Sequence, residues 1–359
     1  MRRILAGPAV AVIAVGGTVL VAGCSSASSS SPSGTTGASP AGASSAAAGS
    51  SGAPVTVRLG FQANITHAPA LIALRNGYFA KALGSAGTVK TSTFSSGTQE
   101  TTAILAGQLD AAFVGPNPAI NAWSKSGGTA IKIVSGVASG GASIVVQPSV
   151  ASAAQLKGKS LASPSLGNTQ DVALRYWLKQ QGLATSATGG GDVAINPTSP
   201  NSAAVLEFKS GQIAGASEPA PYDIEMVKDG GKVLLSEPGV TTLLVVTQSF
   251  LSAHPEIVAD LLQANMQAIS LIKTDPAKAE ADANAELAGF TGKTLKADIL
   301  SAAFKEITFT TNPDVSSLTK DAQEAVSLGL LKPVDLTGIF DLSPLNSLLS
   351  ASGQPLVTS

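Results

Sequence analysis

The chain has 359 residues, a formal charge of −1, 13% charged and 44% hydrophobic residues, one Cys and two His. At roughly 150 residues per domain, this length predicts about two domains with a sizeable core. A single Cys excludes an intramolecular disulfide and a cysteine-clustered metal site. The near-neutral balance, with no basic block, argues against a nucleic-acid partner, whose phosphates need a Lys/Arg-rich face.

The charged fraction is about half the ~25% usual for soluble proteins, and the shortage is uneven. After Arg2-Arg3 no charged residue occurs until Arg58. An apolar run from Ile4 to Ala22 follows the arginines and ends in Ala22-Gly23-Cys24. A basic start, an apolar stretch and small residues before a Cys are the marks of a lipoprotein signal peptide. Residues 1–23 are therefore expected to be removed and Cys24 to be lipidated. From Ser25 to Pro54 every residue is Ser, Ala, Gly, Thr or Pro. Such a segment buries too little apolar surface to offset its ordering entropy, so 24–54 is expected to be a disordered tether spanning roughly 30 Å. Beyond residue 54 no apolar run approaches the ~18 residues a membrane span needs.

From Val55 the texture alternates between strand and helix. Val55–Phe61 has strand periodicity, and residues 69–83 are expected to form one helix with Ala70, Leu71, Leu74, Tyr78 and Ala82 on a stripe. Val89–Phe94, Asp110–Val114 and Ile131–Val137 follow as strands, with helices at 99–107 and 118–125 between them. The pattern then restarts with short strands at Ser143–Val146 and Ser160–Ala162. A helix at 170–181 presents Val172, Ala173, Tyr176 and Trp177 as its apolar face. Strands at 194–196, 213–217 and 232–235 surround a helix at 202–210 and lead to Leu243–Val246. The remainder is mostly helical, at 255–273, 276–287, 294–304 and 318–327. This repetition predicts parallel sheets with crossover helices. The lobe boundaries are expected at 55–146 for the first part of lobe I and 147–242 for lobe II. Residues 243–359 return to lobe I and add the C-terminal helices. Two segments passing between the lobes make a hinge and a cleft.

Ligands of open α/β sheets bind beyond the carboxyl ends of the strands, where helix N-termini expose unpaired N–H groups. Those turns carry Gln62-Ala63-Asn64 near His67, Ser95-Ser96-Gly97-Thr98, Gly115-Pro116-Asn117-Pro118, Ser139-Gly140 and Gly167-Asn168-Thr169. Short hydroxyls, amides and backbone N–H groups suit a small anion such as a sulfonate, carboxylate or phosphate; for any single turn ordinary helix capping is the simpler account, and several such turns at one cleft favour binding. No Arg sits in these turns. Glu218 could hold an ammonium group or cap the next helix. His67 and His254, each beside the start of a proline-containing helix, give little room for acid–base chemistry. Gly158-Lys159-Ser160 and Gly292-Lys293-Thr294 lack the earlier Gly of a P-loop. No metal site, cofactor or catalytic residue is expected.

Three stretches carry a resemblance: His67–Gly84 (HAPALIALRNGYFAKALG), Ser96–Ala122 (SGTQETTAILAGQLDAAFVGPNPAINA) and Leu156–Leu183 (LKGKSLASPSLGNTQDVALRYWLKQQGL). With weaker support from Ser217–Asp223 and Val246–Val258, they resemble the solute-binding proteins of ABC importers in the nitrate/sulfonate/taurine group. The resemblance implies an α/β, two-lobe periplasmic-binding-protein type II fold with a hinged cleft, and a permease with its ATPase as partners. It implies a monomeric receptor for a small solute, held by lipid on the extracytoplasmic face of the cell membrane. By position it implies ligand contacts from Gln62, Asn64, Ser96, Gly97, Thr98, Asn117, Ser139, Gly140, Gly167, Asn168 and Thr169, to which the reading of the turns adds His67 and Glu218. An enzyme on the same fold, a receptor for a pyrimidine or vitamin precursor, and a sensing lipoprotein are the rival readings.

Overall fold

The computed structural model describes residues 53–358. The expected signal peptide, Cys24 and the tether up to residue 52 lie outside the described residues.

In lobe I, β1 (Val55–Gln62) lies parallel to β2 (Gly87–Phe94) and β3 (Ala111–Val114). The helices α1 (Ala68–Arg75), α2 (Tyr78–Leu83), α3 (Gly97–Leu105) and α4 (Pro116–Lys125) link these strands and lead to β4 (Ile131–Gly140). Lobe II contains β5 (Ala142–Val146), β6 (Ser160–Ser163), α5 (Thr169–Gln180), β7 (Ala194–Pro197) and α6 (Asn201–Lys209). It is completed by β8 (Gly215–Pro219), α7 (Tyr222–Lys228) and β9 (Lys232–Ser236). The chain returns to lobe I through β10 (Val240–Thr247), then α8 (Gln248–Ala253), α9 (Pro255–Thr274), α10 (Pro276–Thr291) and α11 (Ala297–Glu306). The strand β11 (Ile307–Phe309) and the helices α12 (Val315–Ser327) and α13 (Ser343–Ala351) follow.

The strand orders are β11-β4-β10-β3-β1-β2 in lobe I and β7-β6-β8-β5-β9 in lobe II. The first strand after each crossing, β5 or β10, runs antiparallel to both its neighbours. The geometry explains this. A chain leaving one lobe at the carboxyl end of a strand enters the other lobe on the cleft side, so its next strand must run away from the cleft. The expected boundary after Val146 is therefore too late. The first crossing is at Gly140–Gly141, and β5 is hydrogen-bonded between β8 and β9. The second crossing, at Glu237–Gly239, precedes residue 243, because Val240 and Thr242 already pair with β4.

The run Leu243-Leu244-Val245-Val246 is apolar on both faces because helices cover both faces of its sheet. Leu244 and Val246 join Phe61, Phe113 and α9 in one core cluster, while Leu243 and Val245 join Val114, Ile120 and Leu318 in the other. The helix expected over 69–83 is broken: Gly77 takes φ +66 and starts α2 afresh, turning Phe79 and Leu83 into the core. Four elements escaped the sequence pattern: α7, α8, β11 and α13 are short, and each carries too few periodic positions to stand out.

Gly140 is a required glycine. It holds φ +73, and an added Cβ would lie 2.6 Å from the Glu306 carbonyl oxygen. Gly107 has a similar φ of +67 but open space around it. Gly107→Ala should therefore cost about 1 kcal/mol, and Gly140→Ala clearly more, as urea denaturation midpoints would show.

Candidate functional site

Three helix N-termini meet between the lobes: α3 and α4 from lobe I and α5 from lobe II. In α3, Gln99 N and Glu100 N donate to the Ser96 carbonyl, which leaves Gly97 N and Thr98 N without a partner. In α4, Pro116 and Pro118 have no N–H, and Ala119 N donates to Gly115, so only Asn117 N remains. In α5, Asn168 Oδ1 accepts from Asp171 N at 2.9 Å, leaving Thr169 N and Gln170 N. The approach of α4 to α5 depends on Gly115, because a Cβ there would lie 2.6 Å from Thr169 Oγ1.

A cavity of about 20 Å³ lies at this junction, walled by Gln62, Asn64, His67, Gly97, Gly115 and Thr169 among others. That is room for about one water molecule. Gln62 Nε2 donates to Glu100 Oε2 at 2.9 Å. Asn64 caps the short turn Ile65–His67, its Oδ1 accepting from Thr66 N at 3.0 Å. His67 is buried, and its Nδ1 accepts from Gln62 N at 3.3 Å. Burial pushes the imidazole down to about 3, so the ring is neutral, and with Nδ1 accepting, its proton sits on Nε2. Thr169 Oγ1 is buried without a hydrogen-bond partner. The walls therefore offer neutral donors.

A second cavity, of about 520 Å³, opens on the other side of Thr169, between α5, α12 and the second crossing. Thr169 and Thr241 lie on the walls of both cavities. The stripe Val172, Ala173, Tyr176 and Trp177, expected to pack as an apolar face, lines this larger space. The core of lobe II is met by Leu174 and Leu178, with Trp177 packed against its edge. Glu237, Asp321 and Glu324 line it too. Burial, reinforced by mutual repulsion, pushes Glu237 and Asp321 each up to about 8.

Six of the sequence-derived site residues line the small cavity: Gln62, Asn64, His67, Gly97, Asn168 and Thr169. Asn117 lines the larger one, and its Nδ2 donates to the Asp321 carbonyl at 3.2 Å, tying α4 to α12. The others line neither described cavity. Ser96 is the buried N-cap of α3. Thr98 Oγ1 pairs with Ser165 Oγ at 2.8 Å across the lobes. Ser139 pairs with Thr308 in the sheet, and Gly140 N donates to Gly239, joining the two crossings. Gly167 N donates to Asp171 Oδ2 at 2.9 Å. Glu218 is fully buried and accepts from Asn201 Nδ2 at 2.6 Å, with burial holding it well above the usual carboxylate range.

Sequence reasoning missed Glu237, Asp321 and Thr241. Pro238-Gly239 marks a turn beside Glu237 but says nothing of a site, and only the return of α12 to the second crossing brings the three together. Glu100, fully buried behind Gln62, was missed as an ordinary helix acid.

Asp171 fixes the α5 end. Its carboxylate accepts from Ser163 Oγ at 2.7 Å, Gly167 N at 2.9 Å and Arg175 Nε at 2.8 Å, with Asp171 and Arg175 both buried. Asp171→Ala should cost about 3–5 kcal/mol, because it leaves a buried guanidinium unpaired, as equilibrium denaturation would measure. A second expectation concerns pH. Carboxyls protonated in the fold but ionised when unfolded bind the extra proton only in the native state, so stability falls as pH rises. His67 acts in the opposite sense, but only below its ordinary value of 6.5. Stability should therefore fall between about pH 6.5 and 8, with a shallower slope in Glu237→Gln, as urea midpoints at constant ionic strength would show.

Comparison with known proteins agrees with this architecture. The family model of the NMT1-like family matches residues 50–288. No curated protein sequence matches the chain. Among solved structures, the alkanesulfonate-binding protein SsuA from Xanthomonas axonopodis pv. citri, bound to MOPS, is 18% identical with a TM-score of 0.65. The match covers 79% of this chain and 96% of that one. The periplasmic nitrate-binding protein NrtA from Synechocystis PCC 6803 is 17% identical with a TM-score of 0.66, covering 83% and 89%. The periplasmic aliphatic sulphonate binding protein SsuA from Escherichia coli is 19% identical with a TM-score of 0.63, covering 80% and 97%. The chain thus belongs to the NMT1-like family and has the two-lobe fold of the periplasmic sulfonate- and nitrate-binding proteins.

Proposed function

We propose that this protein is the lipid-anchored, extracytoplasmic solute receptor of an ABC importer, taking a small anionic or zwitterionic compound such as an aliphatic sulfonate, taurine or a nitrate-like anion. The observation that carries this reading is the convergence of three helix N-termini from two lobes on one cleft. Their remaining N–H groups and the unpartnered Thr169 Oγ1 supply donors without a competing side-chain cation. Family membership and the fold of the solved neighbours support the same role. A sulfonate exceeds the water-sized space between the closed lobes, so its admission requires them to part about the two crossings. Thr98–Ser165, Lys179 Nζ donating to the Ser327 carbonyl at 2.6 Å and the Lys228–Asp298 ion pair at 2.8 Å are the contacts that closure makes. The lipid anchor on Cys24 rests on the Arg2-Arg3 start, the apolar run Ile4–Ala22 and the small residues Ala22-Gly23 before the Cys. The receptor reading is preferred to an enzyme because His67 has one ring nitrogen committed to the backbone and no carboxylate behind it.

Calorimetry with ethanesulfonate, taurine and nitrate should give saturable binding of at least one. Thr169→Val should weaken it roughly tenfold or more, the usual effect of losing one hydrogen bond to a charged group. Absence of binding by every member of the panel would remove these small solutes from the assignment. Expressed in a bacterial host, the full chain should partition into the detergent phase and Cys24→Ala into the aqueous phase; identical partitioning would remove the lipid anchor.

A further inference from the structure

The larger cavity is unexplained by an anion receptor. It is lined by three carboxylates, Glu237, Asp321 and Glu324, against one lysine, Lys320, whose side chain is 70% exposed and 3.5 Å from Glu324. Acids gathered in a partly buried space without matching cations are costly unless they are protonated or a cation completes them. Asp321 Oδ2 is buried with no hydrogen-bond partner. Glu237, only 9% exposed, has Oε1 engaged by Ser217 Oγ at 2.7 Å. Tyr176 and Trp177 complete the wall, and aromatic faces attract ammonium groups. The volume of about 520 Å³ lies within the roughly 300–1,000 Å³ range of small-molecule sites. It is far more than an isolated ammonium fills. A space of this size with Tyr176 and Trp177 on its wall suits an organic cation.

A second observation, independent of the acids, points to a ligand. Thr169 is 8% exposed, its Oγ1 has no partner, and it stands on the wall shared by this cavity and the anion-binding helix ends. We propose that the cavity between α5 and α12 holds the bulky ammonium end of a zwitterionic solute, whose anionic end lies at the N-terminus of α5. This rests on the receptor reading and narrows its solute class to an anion joined through a short spacer to a large or aromatic amine. Such a solute touches α5 of lobe II, α12 of lobe I and the second crossing at once, so binding it stabilises the closed form.

The acids also set a proton count. Glu237 feels the charges of Asp321, Asp223 and Glu324, and Asp321 those of Glu324, Lys320 and Asp314. Without a cation both are held largely protonated at neutral pH; an arriving ammonium favours their ionised forms. Binding therefore releases protons.

The test is calorimetry at pH 7 with three matched probes: N-benzyltaurine (zwitterion), 4-phenylbutanesulfonate (the isosteric anion) and N-ethylbenzylamine (the cation alone). The wild type, Glu237→Gln and Asp321→Asn are compared, each checked for a native circular dichroism spectrum. N-Benzyltaurine should bind the wild type about tenfold or more tighter than the anion. Its enthalpy should vary with buffer ionisation enthalpy as expected for proton release. Each variant should lose most of that advantage while binding the anion within about threefold of wild type. Equal affinity for zwitterion and anion in the wild type, or an advantage that survives in both variants, would overturn the cation compartment and leave the anion receptor standing. If all three probes and the simple anions above fail to bind, both readings fall together. Should one variant not fold, the other decides, with Trp177→Ala as a further readout of the aromatic wall.

Discussion

The buried carboxylate of Asp171 decides what the end of α5 can offer a solute. It takes the Gly167 N–H and the Ser163 hydroxyl on one side and Arg175 on the other, while Asn168 caps its own N–H. A buried anion one turn into a helix is stabilised by the helix dipole, and here it also consumes part of the positive potential of that helix end. What remains is narrow: Thr169 N, Gln170 N and the Thr169 hydroxyl. Because Arg175 Nη1 donates in turn to the Ser186 carbonyl at 2.9 Å, the same ion pair ties the loop beyond α5 to the cleft. The site is thus held by a charged pair that does not itself face the cavity.

The rest of the cleft follows from this economy of donors. The double proline of α4 leaves it a single free N–H, and α3 keeps two. With so few donors, a close approach of the lobes is required for them to act on one group. Gly115 permits it, since any side chain there would meet Thr169. The hinge obeys a similar logic: Gly140 N donates to the Gly239 carbonyl and Thr241 Oγ1 donates to the Gly140 carbonyl at 2.8 Å, so the two crossings are hydrogen-bonded to each other and turn as one.

Much of this was legible in the residues. Strand and helix alternation, the apolar LLVV run and the small polar turns between elements gave the two lobes and located the strand ends where the cleft forms. Six of the residues singled out for contact do line the small cavity, because a turn between strand and helix is a local event with local signals. The failures were non-local. Thr98, Ser139, Gly140 and Gly167 have the same chemistry as their neighbours, but their polar groups are used in lobe contacts, sheet pairing, the hinge and Asp171. The stripe on α5 was legible as an apolar face but its covering was not, because hydrophobic periodicity records a face and not what covers it. Glu237 and Asp321 are far apart in sequence, and nothing near either marks it as part of a site.

The low charge content takes on a different meaning in this light. A chain with few ionisable residues nevertheless buries Glu100, Asp110, Asp171, Glu218, Asp223, Glu237 and Glu324. Only Asp110 and Asp171 have a guanidinium against them; Glu100, Glu218, Asp223, Glu237 and Glu324 are all pushed upward by burial. Protonated carboxyls can donate as well as accept, so these groups extend the neutral hydrogen-bonding character of the turns into the interior. The same groups keep a latent negative charge, released wherever a cation can reach them. Glu237 and Glu324 lie on the wall of the larger cavity, beside Asp321. A cleft built on neutral donors at one end and on suppressed carboxylates at the other is matched by a solute with opposite charges at its two ends, and neither a bare anion nor a bare cation satisfies both.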